Sequence, residues 1–273
     1  MAGAKELMAR HGLIAKKKLG QHFLIDQHVL NKIIKAAGIS ENDHVLEIGP
    51  GIGGMTQVML QEGASVTAVE LDKQLVPILE GLFADQKFNI IQGDILRTDL
   101  TEIVNVDSRI KVVANLPYYI TTPVIFHLLE SGLPFESITV MIQKEVAQRM
   151  GAVAGKKDYG ALTLAVQYYA DVSLVANVPT NCFFPRPGVD SAVVKLTLLP
   201  EPRVKTDKQK MFKIIHAAFG KRRKTLVNAL DSEGIGGGKV ALAETLESCG
   251  INPQARGETL DIFQFAKLAE LIK

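Results

Sequence analysis

The sequence predicts an α/β protein built on a mostly parallel sheet, followed by a small all-helical domain. Three observations carry this. Short apolar runs recur at residues 45–48, 66–69, 89–91, 111–114 and 137–142. Helical patterns near 55–60, 74–83 and 123–129 alternate with them, as in a parallel sheet covered on both faces. Beyond the proline-punctuated linker Leu199-Pro200-Glu201-Pro202 the patterns are helical. The division expected from this is residues 1–199 as an α/β domain with a basic N-terminal arm, and 200–273 as a helical domain.

A helix containing residues 33–37 precedes the first strand. That strand runs through Glu47 into Gly49-Pro50-Gly51-Ile52-Gly53-Gly54. Glycines let the backbone approach a ligand and take positive φ. Two templates fit the turn: Gly49-x-Gly51-x-x-Gly54 is the dinucleotide fingerprint, and Glu47-x-Gly49-x-Gly51-x-Gly53 is the pattern of S-adenosylmethionine enzymes. Glu70, after the second strand, can hold ribose hydroxyls in either case. After the third strand, the carboxylate of Asp94 can accept from an adenine amino group, and the N–H of Ile95 can serve a ring nitrogen.

The fourth strand ends in Asn115-Leu116-Pro117-Tyr118. Open α/β sheets bind ligands at that edge. An amino group conjugated to an aromatic ring becomes a nucleophile when acceptors draw its hydrogens and free its lone pair. The amide oxygen of Asn115 and a backbone carbonyl nearby are such acceptors. Tyr118 can stack on the base, and Pro117 stiffens the turn. Hydride transfer needs no such set, so the methyl donor is favoured over a nicotinamide cofactor.

The motifs occur in a telling order: Gln21-His22-Phe23-Leu24, the glycine loop, Glu70, Gly93-Asp94, Asn115-Leu116-Pro117-Tyr118, Phe183-Phe184-Pro185-Arg186-Pro187, and the run from Phe219 through Lys221-Arg222-Arg223-Lys224 to Leu226. This set resembles the ribosomal RNA adenine dimethyltransferases, and within them the small-subunit (16S-type) branch, from about Lys18 to the C-terminus. His22 stands where that family often carries Asn. The resemblance implies a seven-stranded Rossmann-like methyltransferase sheet, completed by strands at 172–178 and 192–198, the last antiparallel. It implies S-adenosylmethionine as cofactor, bound by Gln21, His22, Leu24, Gly49, Gly51, Glu70, Leu71, Asp94, Ile95 and Asn115. Asn115, Leu116, Tyr118 and Phe183 are the implied catalytic set. Leu116 shapes room for a monomethylated amine, and Phe183 sandwiches the target adenine opposite Tyr118. Phe184 reads as the core member of the phenylalanine pair.

The implied reaction dimethylates the N6 amino groups of two adjacent adenosines near the 3′ end of small-subunit ribosomal RNA, within the small ribosomal subunit. Lys221, Arg222, Arg223 and Lys224 read as an RNA-phosphate contact carried on a helix that begins with the apolar period Met211, Ile214, Ile215, Ala218. A large-subunit dimethylase of the erythromycin-resistance type, a nicotinamide-dependent dehydrogenase and a non-catalytic assembly factor are the competing readings.

Composition sets the bounds. The 273 residues are 47% hydrophobic and 22% charged, with a net charge of +2. No apolar run approaches the roughly 20 residues that cross a membrane. Lys5, Glu6 and Arg10 interrupt the N-terminus, so it reads as a disordered basic arm and not as a secretory signal. Cys182 and Cys249 cannot build a disulfide framework and have no partners at metal-ligand spacing. The expectation is a cytoplasmic, monomeric enzyme without a metal.

Overall fold

The computed structural model describes residues 4–103 and 109–272. Strands β2 (His44–Ile48), β3 (Ser65–Glu70), β4 (Phe88–Gln92), β5 (Ile110–Asn115), β6 (Phe135–Gln143), β7 (Ala170–Val178) and β9 (Ser191–Leu198) form one sheet in the order β4-β3-β2-β5-β6-β9-β7. Pairs β3–β4, β2–β3, β2–β5 and β5–β6 are parallel, whereas β9 lies antiparallel to β6. This is the methyltransferase-type sheet that the resemblance implied. A second, two-stranded sheet pairs β1 (Phe23–Leu24) with β8 (Phe183–Phe184).

Burial explains why these segments are strands. β5 is buried along residues 110–114, and β2 from Val45 to Ile48. Such runs, buried on both faces, suit a sheet covered on both sides. The helix α2 (Gln27–Ala37) supplies part of that cover. Asp26 caps it by accepting from the Val29 N–H at 3.0 Å, and Gly38 ends it in the left-handed region. Its stripe Val29, Leu30, Ile33, Ile34 and Ala37 packs with Val45, Val66, Val113 and Met141 of the sheet.

The helices α3 (Gly54–Gln61), α4 (Val76–Leu82), α5 (Leu100–Ile103) and α6 (Thr121–Leu129) connect the parallel strands. The chain runs outward from β2 through β3 to β4, then returns to place β5 on the other side of β2. The carboxyl ends of β2 and β5 therefore flank the switch point at which such sheets bind ligands.

The N-terminal arm is not disordered over its described part. The helix α1 (Ala4–Arg10) buries Leu7 and Met8 with Phe23, Ile52, Leu75, Leu79 and Phe83. Two apolar residues among charges do not reveal such a dock in sequence. The first three residues of the expected arm lie outside the described residues.

The chain divides into two compact units, and their boundary differs from the linear one at Leu199. One unit holds the residues up to Ala147 together with Ser173–Leu198; the other holds Gln148–Val172 and the chain from Leu199 onward. Tyr159, Leu164 and Tyr168 share one apolar core with Met211, Ile214, Leu226 and Phe265. The Tyr159 hydroxyl donates to the Leu260 carbonyl at 2.7 Å. Helix α7 (Lys144–Met150) and β7 carry the chain from one unit to the other, and α8 (Ala161–Tyr169) belongs to the second. That unit also contains α9 (Lys208–Gly220), α10 (Leu226–Asp231), α11 (Lys239–Ser248) and α12 (Ile262–Leu271).

Candidate active site at the carboxyl edge of the sheet

Four strand ends converge on one open cavity. Gly49 and Gly51 follow β2, Glu70 ends β3, Asp94 follows β4, and Asn115 ends β5; all line it. So do Gln21, His22, Leu24, Leu71, Ile95, Leu116, Tyr118 and Phe183. Every cofactor and catalytic residue expected from the sequence thus borders one cavity.

The glycine loop is tight for steric reasons. Gly51 has φ +58, and a Cβ there would stand 3.0 Å from the Phe23 ring; Gly53 has φ +79, and its Cβ would stand 2.8 Å from Phe83. Glu70 braces the loop across the strand gap. One carboxyl oxygen accepts from the Gly51 N–H at 3.2 Å and the other from the Asp72 N–H at 2.8 Å. Burial pushes the Glu70 carboxyl above its usual range, against these N–H donors.

Under the loop, Glu47 is wholly buried. Its Oε2 accepts from the Thr56 hydroxyl at 2.6 Å, while Oε1 has no protein partner among the described residues. Burial, with the nearby Glu70 charge adding to it, pushes this carboxyl up to about 8. Asp94 is half-buried and accepts from the Leu96 N–H at 3.1 Å.

The Asn115 side chain donates from Nδ2 to the His22 carbonyl at 2.9 Å. That bond fixes the amide orientation and leaves Oδ1 without a protein donor among the described residues. Leu116 is buried and donates its N–H to the Met141 carbonyl at 3.2 Å. The Tyr118 hydroxyl meets the buried Ser191 hydroxyl at 2.8 Å, and its ring stacks on His22 with centroids 6.1 Å apart. His22 in turn donates from Nδ1 to the Pro185 carbonyl at 2.8 Å.

The phenylalanine pair is inverted relative to the sequence expectation. Phe183 is 2% exposed and part of the core, whereas Phe184, expected inside, is 39% exposed. The short strand β8 puts successive side chains on opposite faces, and its register sets Phe183 against Leu24. Phe183 still forms part of the cavity wall.

Two residues of the site carry no signal in the motifs. Asp72, buried, accepts from Lys16 Nζ at 2.6 Å, Gln21 Nε2 at 2.9 Å and the Gln74 N–H at 3.0 Å. Burial opposes its charge, yet these donors hold its carboxyl below the usual range. It ties the N-terminal segment to the loop that carries Glu70. Its spacing two residues after Glu70 is the only trace of this in sequence. Ser191, the partner of Tyr118, has none.

The basic cluster lies in the second unit. It sits in the connection after α9 and not on a helix, because α9 ends at Gly220. Lys221 pairs with Glu233 at 3.1 Å. Arg222 pairs with Glu258 at 3.1 Å and donates to the carbonyls of Lys157 and Tyr159. Arg223 and Lys224 are exposed and have no side-chain partner among the described residues.

Residues 12–273 match the family described as ribosomal RNA adenine dimethylase. The chain belongs to the ribosomal RNA adenine dimethylase family. Within it, the chain is 53% identical to the ribosomal RNA small subunit methyltransferase A of Lachnoclostridium phytofermentans, across 98% of this chain and 94% of that protein. The crystal structure of a dimethyladenosine transferase from Plasmodium falciparum superposes with a TM-score of 0.74 at 29% identity, covering 90% of this chain and 96% of that one. The 23S rRNA methyltransferase ErmE, at 23% identity and a TM-score of 0.71, covers 91% of this chain and 98% of its own; it attests the fold alone. Family membership gives the strand-end cavity its chemical context: an adenine amino group as acceptor of a methyl group.

Proposed function

We propose that this chain dimethylates the N6 amino groups of two adjacent adenosines near the 3′ end of small-subunit ribosomal RNA, acting as a single chain on the small ribosomal subunit in the cytoplasm. The observation that carries the reading is Asn115 at the end of β5. Its amide N–H is committed to His22, so the oxygen is left for an incoming amine, in a member of the adenine dimethylase family. The compartment reading is supported by two buried free cysteines, Cys182 and Cys249, which suit reducing surroundings.

S-adenosylmethionine is the cofactor, and when bound it supplies the activated methyl group. The cavity fits it. At Gly49, which has φ +66 and lines the cavity, a Cβ would meet nothing nearer than the Asn115 carbonyl oxygen at 3.9 Å, so a ligand can approach the bare backbone there, and Glu70 and Asp94 offer carboxylates at the ends of neighbouring strands. Glu70 holds ribose hydroxyls with the lone pairs that Gly51 and Asp72 do not use. Asp94 and the Ile95 N–H take the adenine edge.

The target base leaves its stack to enter, as for other enzymes that work on a base. Oδ1 of Asn115 and a nearby backbone carbonyl accept its amino hydrogens, which turns the lone pair out of the ring. Tyr118 is held by Ser191 and His22, so it presents a fixed face to the base. The work of the chain is positioning and polarisation. Because an amide is an acceptor and not a base, the amine sheds its proton only after it has become cationic. In the second unit Arg223 and Lys224 meet RNA phosphates, while Lys221 and Arg222 brace the segment that presents them.

The test is incubation with labelled S-adenosylmethionine and unmodified small and large ribosomal subunits, followed by mapping of the label. Two dimethylated neighbours near the 3′ end are expected. Label confined to large-subunit RNA, or absent from both, overturns the reading.

A further inference from the structure

Tyr119 follows Tyr118 in the turn Tyr118–Ile120 and has no part in the reaction as proposed. It is 58% exposed yet lines the cavity beside Tyr118. Its neighbour is fully engaged by Ser191 and His22; the Tyr119 side chain has no hydrogen-bonding or ring partner among the described residues. A ring exposed at the mouth of a cavity offers a face on which a base can stack.

The ring is nevertheless placed. Gly20, in the left-handed region at φ +61, lies against it: a Cβ at Gly20 would stand 3.4 Å from both the Tyr119 ring and Pro117. Gly20 closes the short turn Lys17–Leu19 by donating its N–H to the Lys17 carbonyl at 3.0 Å. That turn carries Lys17 and Lys18, both exposed and without a side-chain partner among the described residues. Lys16, by contrast, is consumed by Asp72. An aromatic ring at the mouth of the cavity therefore rests on Gly20, and two exposed cations, Lys17 and Lys18, come just before that glycine in the chain. Aromatic faces that hold bases beside cations that meet the backbone are how single strands are gripped.

We infer that Tyr119 stacks the base next to the adenosine being methylated, while Lys17 and Lys18 meet the phosphates of that strand. This rests on the proposed reaction at two adjacent adenosines. When one of them fills the cavity, the other is left at its mouth, unstacked, and needs a surface. Tyr119 is then a substrate-positioning residue, distinct from the groups that touch the reacting amine.

The experiment is steady-state methylation of unmodified small subunits by the wild type, Tyr119→Phe, Tyr119→Ala and Tyr119→Leu, with S-adenosylmethionine affinity measured in parallel. Removing the stack is expected to lower kcat/KM for the subunit about tenfold to a hundredfold, the scale of one base on one aromatic. The drop falls mainly on KM, Tyr119→Phe restores it, and cofactor affinity stays unchanged. Tyr119→Leu keeps apolar bulk against Gly20, so it shows the same drop in a folded protein. The Lys17→Ala/Lys18→Ala variant flattens the salt dependence of subunit binding by roughly 0.7 in log–log slope for each phosphate left without its cation. Wild-type KM in Tyr119→Ala, or cofactor affinity that disappears along with activity, overturns the inference, and an unchanged slope removes the lysines from it. A wild-type enzyme that leaves the subunits unlabelled points instead to failure of the reaction assignment.

Discussion

The amide of Asn115 and the backbone carbonyl of His22 are joined at 2.9 Å, although 93 residues separate them. The bond decides which end of the amide faces the cavity. It also ties the N-terminal segment to the end of β5, so one hydrogen bond both orients the acceptor and closes the site.

Replacing Asn115 with Ala removes that acceptor. Methyl transfer is expected to fall by roughly a hundredfold or more, the usual cost of deleting a positioned polar group aimed at developing charge. The fold should persist, as judged by a cooperative unfolding transition lowered by no more than about 1 kcal/mol for the lost hydrogen bond to His22. Turnover near the wild-type rate in a folded variant would remove Asn115 from the site.

For Glu70→Ala the expected loss is in S-adenosylmethionine binding, about 1.5–3 kcal/mol, the scale for hydrogen bonds to a charged group. Part of that loss comes from releasing the Gly51 N–H, which Glu70 holds at 3.2 Å. Calorimetry is the measurement. Unchanged affinity would reduce Glu70 to a brace for the loop.

Glu47 makes stability depend on pH. Its carboxyl rises from an ordinary 4.5 to about 8 in the folded protein. The folded state therefore holds a proton that the unfolded state has already released, and across that window stability falls as pH rises. Glu47→Gln lacks this dependence. Denaturant midpoints measured from about pH 5 to about pH 9, spanning both values, should show the wild type losing ground against the variant as pH increases. Parallel curves would mean that Glu47 is already ionised at neutral pH.

The basic segment should split into two behaviours. Arg223→Ala/Lys224→Ala is expected to weaken subunit binding and flatten its salt dependence by about 0.7–0.9 in log–log slope for each phosphate no longer neutralised, with cofactor affinity intact. Arg222→Ala, which breaks the pairing with Glu258 and two hydrogen bonds to carbonyls, should instead lower the unfolding midpoint. Equal slopes for the double variant and the wild type would mean that neither residue meets phosphate.

What the sequence determined by itself is the sheet and the rim of the cavity. Apolar runs of strand length, alternating with helical periods, can only be buried as covered parallel strands, and each motif residue sits at a strand end because the strand stops there. Gly49, Glu70, Asp94 and Asn115 converge for that reason alone. Only the tertiary structure decided the rest. The docking of α1, the assignment of 148–172 to the helical unit, the exposure of Phe184 in place of Phe183, and the division of the basic segment into braced and free cations all depend on partners far away in the chain. Asp72 and Ser191 belong to the same class: a short polar side chain carries no periodicity. Its role comes from Lys16 and Gln21, or from Tyr118, being brought within hydrogen-bonding distance across 51 to 73 residues of chain. Periodicity reports which face is buried; it does not report what is buried against it.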